Sequence, residues 1–308
     1  MSAPDSILLI AFGGPEKPED IRPFLQIVTA GHRIPPERVE EVAHHYEAIG
    51  GRSPLNELTF LQAEGLRRAL KRDGAAVPLF VGMRNWHPFF HETLAEMKDK
   101  GHHRALGIIL SSFQTEASWE RYVADVAAAR EKVGPEAPEV TYAPPWFDHP
   151  RFIEAMADRV RDALSRIPPG RRTATPLVFT AHSVPTAMAA GSPYVAQFTA
   201  ASRAVAAKLG HPRWSVAYQS RSGLPRDPWL EPDISGVLRN LAREGVTDLV
   251  VAPIGFVCDH VEVLYDLDVD ARQLAERLGV RFHRAAAVND HPAFIEMLAD
   301  LAKACLGT

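Results

Sequence analysis

The chain has 308 residues, 46% of them hydrophobic and 23% charged, with a formal net charge of −4. That length holds one large domain or two smaller ones with real cores, and the mild acidity gives no basic footprint for nucleic acid. The apolar runs at 7–12 and 249–254 are too short to span a bilayer. The first residues, MSAPDSILLIAFGGP, show neither a basic start nor a signal-type cleavage site, so no export signal is read. The only cysteines are Cys258 and Cys305, outside any CxxC or Cys/His cluster. This argues against a cysteine-held iron–sulfur cluster or structural zinc and fits a reducing compartment.

In chain order, short apolar runs predict strands at 7–12, 77–82, 105–111, 140–143, 177–181, 214–219, 249–254 and 280–284. Helical spacing fills much of what lies between, at 57–71, 89–100, 119–131 and 258–278. Strand–helix alternation of this kind predicts an α/β protein with parallel sheets covered by helices. The stretch RIPPGRRTAT at 166–175 has the composition of a linker.

An internal repeat divides the pattern in two. Residues 148–158 read DHPRFIEAMAD and residues 290–300 read DHPAFIEMLAD, identical at eight of eleven positions; each copy follows the fourth strand of its half. The first strands end alike as well, in AFGGP at 11–15 and AHSVP at 181–185. The plain alternative is chance similarity between two helices that begin with proline. Two similar four-stranded halves are expected, with extra helical sequence in the first between about 35 and 70. Ligands of such sheets bind beyond the carboxyl ends of the strands.

The residues after those strand ends carry the chemistry. FGGP at 12–15 is not a dinucleotide fingerprint; its glycines suit a tight turn. GMRNWHP places Arg84, Asn85, Trp86 and His87 after the second strand. His182 stands at the end of the fifth, where an imidazole binds metal or moves protons near neutral pH; the bland alternative is a polar turn residue. Beyond the seventh strand, a helix from about Asp259 would set Glu262, Asp266 and Asp270 at i, i+4 and i+8 on one face. Like charges so spaced cost roughly 0.2–0.5 kcal/mol per pair, so an offsetting gain is expected. Carboxylates handing on a divalent cation provide one; a solvated acidic face near a helix start is the alternative. Phe12, Trp86, Phe113, Trp119, Tyr122, Trp229 and Tyr265 all fall near strand ends, where they line a flat apolar ligand or pack the core.

In LLIAFGGPEKPEDIRPFL, HYEAIGGRSPLNELT, GMRNWHPF, FTAHSVPTA, YQSRSGLPRDPWLEPD and APIGFVCDHVEVLYDLD, running from about residue 7 to 296, the chain resembles the ferrochelatases. The resemblance implies a chelatase fold of two similar Rossmann-like domains, each a four-stranded parallel sheet flanked by helices. The first would span 1–147 and the second 148–290, with the last helix, 291–308, packing back on the first. It implies insertion of Fe²⁺, as substrate, into a porphyrin without any required cofactor. The family's His and Glu fall on His182 and Glu262 as catalytic and metal-site residues. Asp266 and Asp270 fall on its metal or proton path. Its porphyrin contacts fall on Phe12, His45, Tyr46, Ser53 and Tyr122.

The finer resemblance is to actinobacterial members, which act on coproporphyrin III. Protoporphyrin IX is the alternative porphyrin, cobalt or nickel loading of another tetrapyrrole a rival chemistry, and a non-catalytic porphyrin or metal carrier the rival of another class. A cytoplasmic monomer without stable membrane insertion or nucleic-acid partner is expected. Arg52, Arg84 and Arg121 are candidates for propionates. The chain departs from some members in having Phe12 where a tyrosine ligates product iron. It also has Thr29 and Ala30 where an arginine pair stands, His45 where an arginine stands, and SSFQ at 111–114. The cluster-holding cysteines of actinobacterial members are absent.

Overall fold

The computed structural model describes residues 3–31, 34–222 and 227–307. Residues 223–226 of the QSRSGLPRDPWLEPD motif, and His32 and Arg33, lie outside the described residues.

The chain divides into two compact units. The first contains, in order, β1 (Ser6–Ala11), α1 (Ile21–Thr29), α2 (Pro36–Ala48), α3 (Leu55–Arg72), β2 (Leu79–Met83), α4 (Phe90–Asp99), β3 (Arg104–Ile109), α5 (Arg121–Val133) and β4 (Glu139–Tyr142). The second contains α6 (Pro150–Ser165), α7 (Pro169–Arg172), β5 (Leu177–His182), α8 (Thr186–Ala190), α9 (Tyr194–Leu209), β6 (Trp214–Gln219), α10 (Ile234–Arg243), β7 (Asp248–Ala252), α11 (Val261–Leu264), α12 (Arg272–Arg277) and β8 (Arg281–Arg284). The last helix, α13 (Pro292–Leu306), belongs to the first unit and packs on α3 and β3. Residues 112–116 belong to the second unit, which a single break near 147 does not anticipate.

Each sheet has four parallel strands in the same order, β2-β1-β3-β4 and β6-β5-β7-β8. All six residues of β1 and all five of β7 are buried. Covered on both faces, such strands read as unbroken apolar runs rather than alternating ones. In the first unit Leu8, Ile10, Phe90, Leu94, Ile109 and Val126 share one core cluster. In the second, Val178, Leu249, Val251, Val263, Leu267 and Ala275 do.

The two DHP repeats are two helix starts built alike. Each proline occupies the first helical turn, and each histidine caps it: Nδ1 of His149 accepts from Arg151 N at 3.2 Å, and Nδ1 of His291 from Ala293 N at 3.2 Å. This satisfies an N–H that the helix leaves unpaired. The helix after β4 packs on α9 and β7 in the second unit, whereas the one after β8 packs in the first.

Two expectations need correction. Residues 166–175 are not a linker between units but lie wholly within the second. Arg172 donates to the carbonyls of Ile167 and Ser165, and α7 forms inside the stretch. The helix expected over 258–278 is three pieces: α11, a π-helical segment Asp266–Ala271, and α12. Asp270 N donates to Tyr265 O across five residues at 3.0 Å. The cause is in the spacing. Val263, Leu267, Ala271 and Ala275 recur every four residues and are all buried. A straight α-helix at 3.6 residues per turn would carry such a stripe around the axis, and the wider π turn, roughly 4.4 residues, brings it back. Among the described residues no helix is long and apolar enough to cross a membrane.

Candidate active site

His182 is the last residue of β5, the strand between β6 and β7, so the topology sets it at the middle of a sheet end. Its Nδ1 hydrogen-bonds the carbonyl of Ser183, so that nitrogen carries the proton. Tyr194 Oη donates to His182 O at 2.8 Å. The ring's other nitrogen, Nε2, lies 3.5 Å from Glu262 Oε1.

Glu262 reaches that position because the loop after β7 lies flat against the end of β5. Gly255 N donates to Thr180 O at 3.0 Å, and a Cβ on Gly255 would come within 2.5 Å of the Ala181 Cβ. Only glycine allows that approach. His260, edge-on to Phe256 at 5.0 Å, caps α11: its Nδ1 accepts from Glu262 N at 3.3 Å. Gln219 Nε2 donates to Glu262 O. Ser220, at a left-handed φ of 61°, donates its hydroxyl to Asp266.

Electrostatics differ sharply within this cluster. Burial disfavours the charged forms of both His182 and Glu262, but their mutual attraction and hydrogen bond prevail. The imidazole is therefore raised and the carboxyl lowered, and the pair rests as imidazolium and carboxylate. Burial, with Glu262 nearby, pushes Asp266 up to about 7 despite the Ser220 hydroxyl. Burial lowers His260, keeping its ring neutral for capping. Asp270 is exposed. The three carboxylates thus run from a half-buried ion pair, through a group poised near neutrality, to solvent.

The positions of the family's porphyrin contacts, Phe12, His45, Tyr46, Ser53 and Tyr122, lie in the first unit. Phe12 follows β1 and is 38% exposed. Asn85 holds its carbonyl through N at 2.9 Å and Nδ2 at 3.2 Å. Gly13, at φ 83°, lets Trp86 N approach where a Cβ would stand 2.9 Å away. Phe24 is the hub that sequence reading missed, with edge-on contacts to Phe12, Tyr46 and Trp86 at 6.4, 6.0 and 6.1 Å. Buried Ser53 packs against Gly14 and donates its N–H to Pro15 O at 2.8 Å. His45 is half-buried on α2.

Tyr46 and Tyr122 are each only 5% exposed, and burial drives the Tyr122 phenol far up. Tyr122 packs on Phe90 beneath the Arg84 guanidinium. Arg84 is committed to Asp125 at 2.7 Å, and Arg52 approaches Glu57 at 3.8 Å. Of the aromatics near strand ends, Phe113 and Trp119 take the second of the two alternatives and pack the core; Phe113 packs on Tyr194 and Phe198.

Two four-stranded parallel sheets of one strand order, with an imidazole–carboxylate pair at the end of one, define a chelatase-type α/β protein. The fold matches that of the cobalt complex of sirohydrochlorin chelatase SirB from Bacillus subtilis subspecies spizizenii, with a TM-score of 0.57 at 11% identity over 98% of this chain and 95% of that one. A family model described as Ferrochelatase matches residues 4–306. The chain is 45% identical to the coproporphyrin III ferrochelatase of Nocardia farcinica, over 97% of this chain and 87% of the relative. It is 44% identical to that of Mycobacterium avium over 96% and 87%, and 42% identical to a ferrochelatase of Rhodopirellula baltica over 98% and 86%. The chain belongs to the ferrochelatase family, enzymes that insert a metal ion into a porphyrin.

Proposed function

We propose that this chain inserts Fe²⁺ into coproporphyrin III, with His182 and Glu262 at the reacting centre. The observation that carries the reading is the 3.5 Å separation of His182 Nε2 and Glu262 Oε1, found in a chain whose relatives act on that porphyrin. Insertion exchanges two pyrrole protons for one Fe²⁺, so the site must accept cations of both kinds. The resting pair holds one proton between imidazole and carboxylate. Glu262 is an oxygen donor suited to the arriving Fe²⁺. The proton that the iron displaces leaves His182 toward Asp266 and Asp270 and so to water. The neutral imidazole then accepts the two pyrrole protons one after the other, passing each along the same path. Asp266, near neutrality, relays protons or metal, and Asp270 exchanges them with water.

In the first unit, Phe12 offers an apolar face to the macrocycle, backed by Phe24 and, through it, Tyr46; His45, Ser53 and Tyr122 are the remaining porphyrin contacts that the family resemblance supplies. Phenylalanine supplies no ligand to product iron, so contact there is apolar. The reaction needs no resident cofactor, and a water-soluble substrate with four propionates suits a cytoplasmic monomer.

The test is anaerobic Fe²⁺ with coproporphyrin III and protoporphyrin IX side by side. Preferred turnover of coproporphyrin III is expected. Preference for protoporphyrin IX overturns the substrate assignment, and stoichiometric binding without turnover of either makes the chain a carrier.

A further inference from the structure

Between residues 259 and 270 the second unit carries five acidic side chains, at Asp259, Glu262, Asp266, Asp268 and Asp270. Two of them are withdrawn from any role toward a cation. Asp259 accepts from Arg284 Nη1 at 2.9 Å, Asn289 Nδ2 at 3.0 Å and Ala287 N at 3.2 Å. Asp268 accepts from Arg284 Nε at 2.7 Å and Arg272 Nη2 at 3.0 Å. A single guanidinium, 13% exposed, therefore joins two carboxylates that lie on either side of Glu262 and Asp266 in the chain.

The anchor behind that guanidinium is rigid. Arg284 is the last residue of β8 and pairs in register with Val251 of β7. Asn289, at φ 49°, closes the same contact: its N–H donates to Val257 O at 2.9 Å and its Oδ1 accepts from Asp259 N at 2.8 Å. Arg272 is fixed to the same strand, donating to Phe282 O at 3.1 Å with its guanidinium over the Phe282 ring. The turn bearing Glu262 and Asp266 is thus fastened at both ends to one strand terminus.

We propose that Arg284 is a positioning residue for metal insertion: bound to Asp259 and Asp268 at once, it fixes the turn that aims Glu262 and Asp266. It also keeps two neighbouring carboxylates from competing for the cation. The planar fork is needed because its Nε and Nη1 donors point to separate carboxylates, which an ammonium group cannot reproduce in one geometry. Arg284 touches neither His182 nor Glu262, so its effect travels through the backbone.

This inference rests on the metal-insertion reading, and the experiment separates the two. Steady-state insertion is measured for wild type, Arg284→Met, Arg284→Lys, Asp268→Asn and the Arg284→Met/Asp268→Asn double variant, varying Fe²⁺ and porphyrin independently. Rates are normalised to the folded fraction from urea titration. Arg284→Met is expected to lower kcat/KM for Fe²⁺ by about 10–100-fold through misplacement of the donors, with KM for porphyrin held within about twofold. Arg284→Lys recovers part of the loss, and the double variant is no worse than the poorer single one because the pair acts as a unit. A residue that only stabilises the fold would move the urea midpoint and leave the metal-against-porphyrin split untouched; that result, or additive losses in the double variant, overturns the proposal. Should Arg284→Met not fold, Arg284→Lys and Asp268→Asn decide the matter by the same split. Wild type without turnover would instead sink the metal-insertion reading itself.

Discussion

The third strand of each sheet runs into a π-helical turn, Glu116–Glu120 after β3 and Asp266–Ala271 after β7, and both turns are rich in carboxylates. Glu116 and Glu120 are exposed, while Glu262 just before the second turn and Asp266 within it are half-buried with fixed partners. The first strands differ in the same sense: β1 leads into Phe12, whose carbonyl is hydrogen-bonded and whose ring makes only apolar contact with Phe24, and β5 ends in His182, hydrogen-bonded at both its ring and its backbone. One topology therefore supplies two equivalent sets of strand ends, and chemistry arises where charged side chains are partly withdrawn from water and paired. The opposite ends of the sheets repeat the contrast. Asp5, before β1, is well exposed and accepts from two backbone amides, whereas Asp248, at the start of β7, is 4% exposed and accepts from Arg281, Arg171 and His283.

The largest test of this contrast removes the paired charges. His182→Ala and Glu262→Gln are each expected to reduce anaerobic iron insertion by on the order of 10²–10⁴-fold, the usual worth of a positioned acid or base, in protein that remains folded. Adding Phe12→His to His182→Ala restores nothing, since the carboxylate paired with the imidazole, Glu262, belongs to the second unit; recovered turnover would break the comparison.

At the other end, Asp248→Asn is expected to cost about 2–3 kcal/mol in urea unfolding at pH 7, the range for hydrogen bonds to a charged group. Its hydrogen bonds to Arg281 hold the Asp248 carboxyl below the ordinary range despite burial. A depressed carboxylate contributes stability that is complete above its unfolded value, about 3.9, and is lost as pH falls below that value toward the folded one. The gap between wild type and variant should therefore close in acid, and a gap constant from pH 7 to 3 would refute the assignment.

Gly255→Ala should destabilise by about 1–3 kcal/mol through overpacking against Ala181 and lower activity as well. Gly13→Ala, costing at least about 1 kcal/mol through its positive φ, should leave the His182–Glu262 pair undisturbed; parallel denaturation and rate measurements distinguish them. The smallest effect is expected of Phe12→Ala, a rise of about tenfold in porphyrin KM, equal to about 1.4 kcal/mol of lost apolar contact, with kcat little changed.

Much of this was legible in the residues. The inner strands β1, β3, β5 and β7 announced themselves because doubly covered parallel strands have no polar face to blur them. β2 begins at Leu79 rather than 77, since Pro78 has no N–H and serves only through its carbonyl, which accepts from Ile7 N. That His182 and Glu262 come together was legible only in part: His182 directly ends an apolar strand, whereas Glu262 stands out through its spacing from Asp266 and Asp270 and through the family resemblance. Gln219, Ser220 and Arg284 were not legible, because their contribution is made across strands to residues far along the chain. The π turn was hidden for a different reason: a four-residue repeat reads as a drifting α-helix until packing shows that the drift is cancelled. Phe113 and Trp119 show that nearness to a strand end does not tell which way a ring points, and 166–175 shows that proline and glycine mark turns without marking boundaries.

The exchange of the two DHP helices has a consequence for synthesis on the ribosome. Domains emerging from the amino-terminal end ordinarily fold first. Here the first sheet is finished when β4 has emerged, yet Phe294, Leu298 and Ala302, wholly inaccessible within that unit, come from α13. The earlier-made unit must wait, one layer short, until the whole of the later one has been translated.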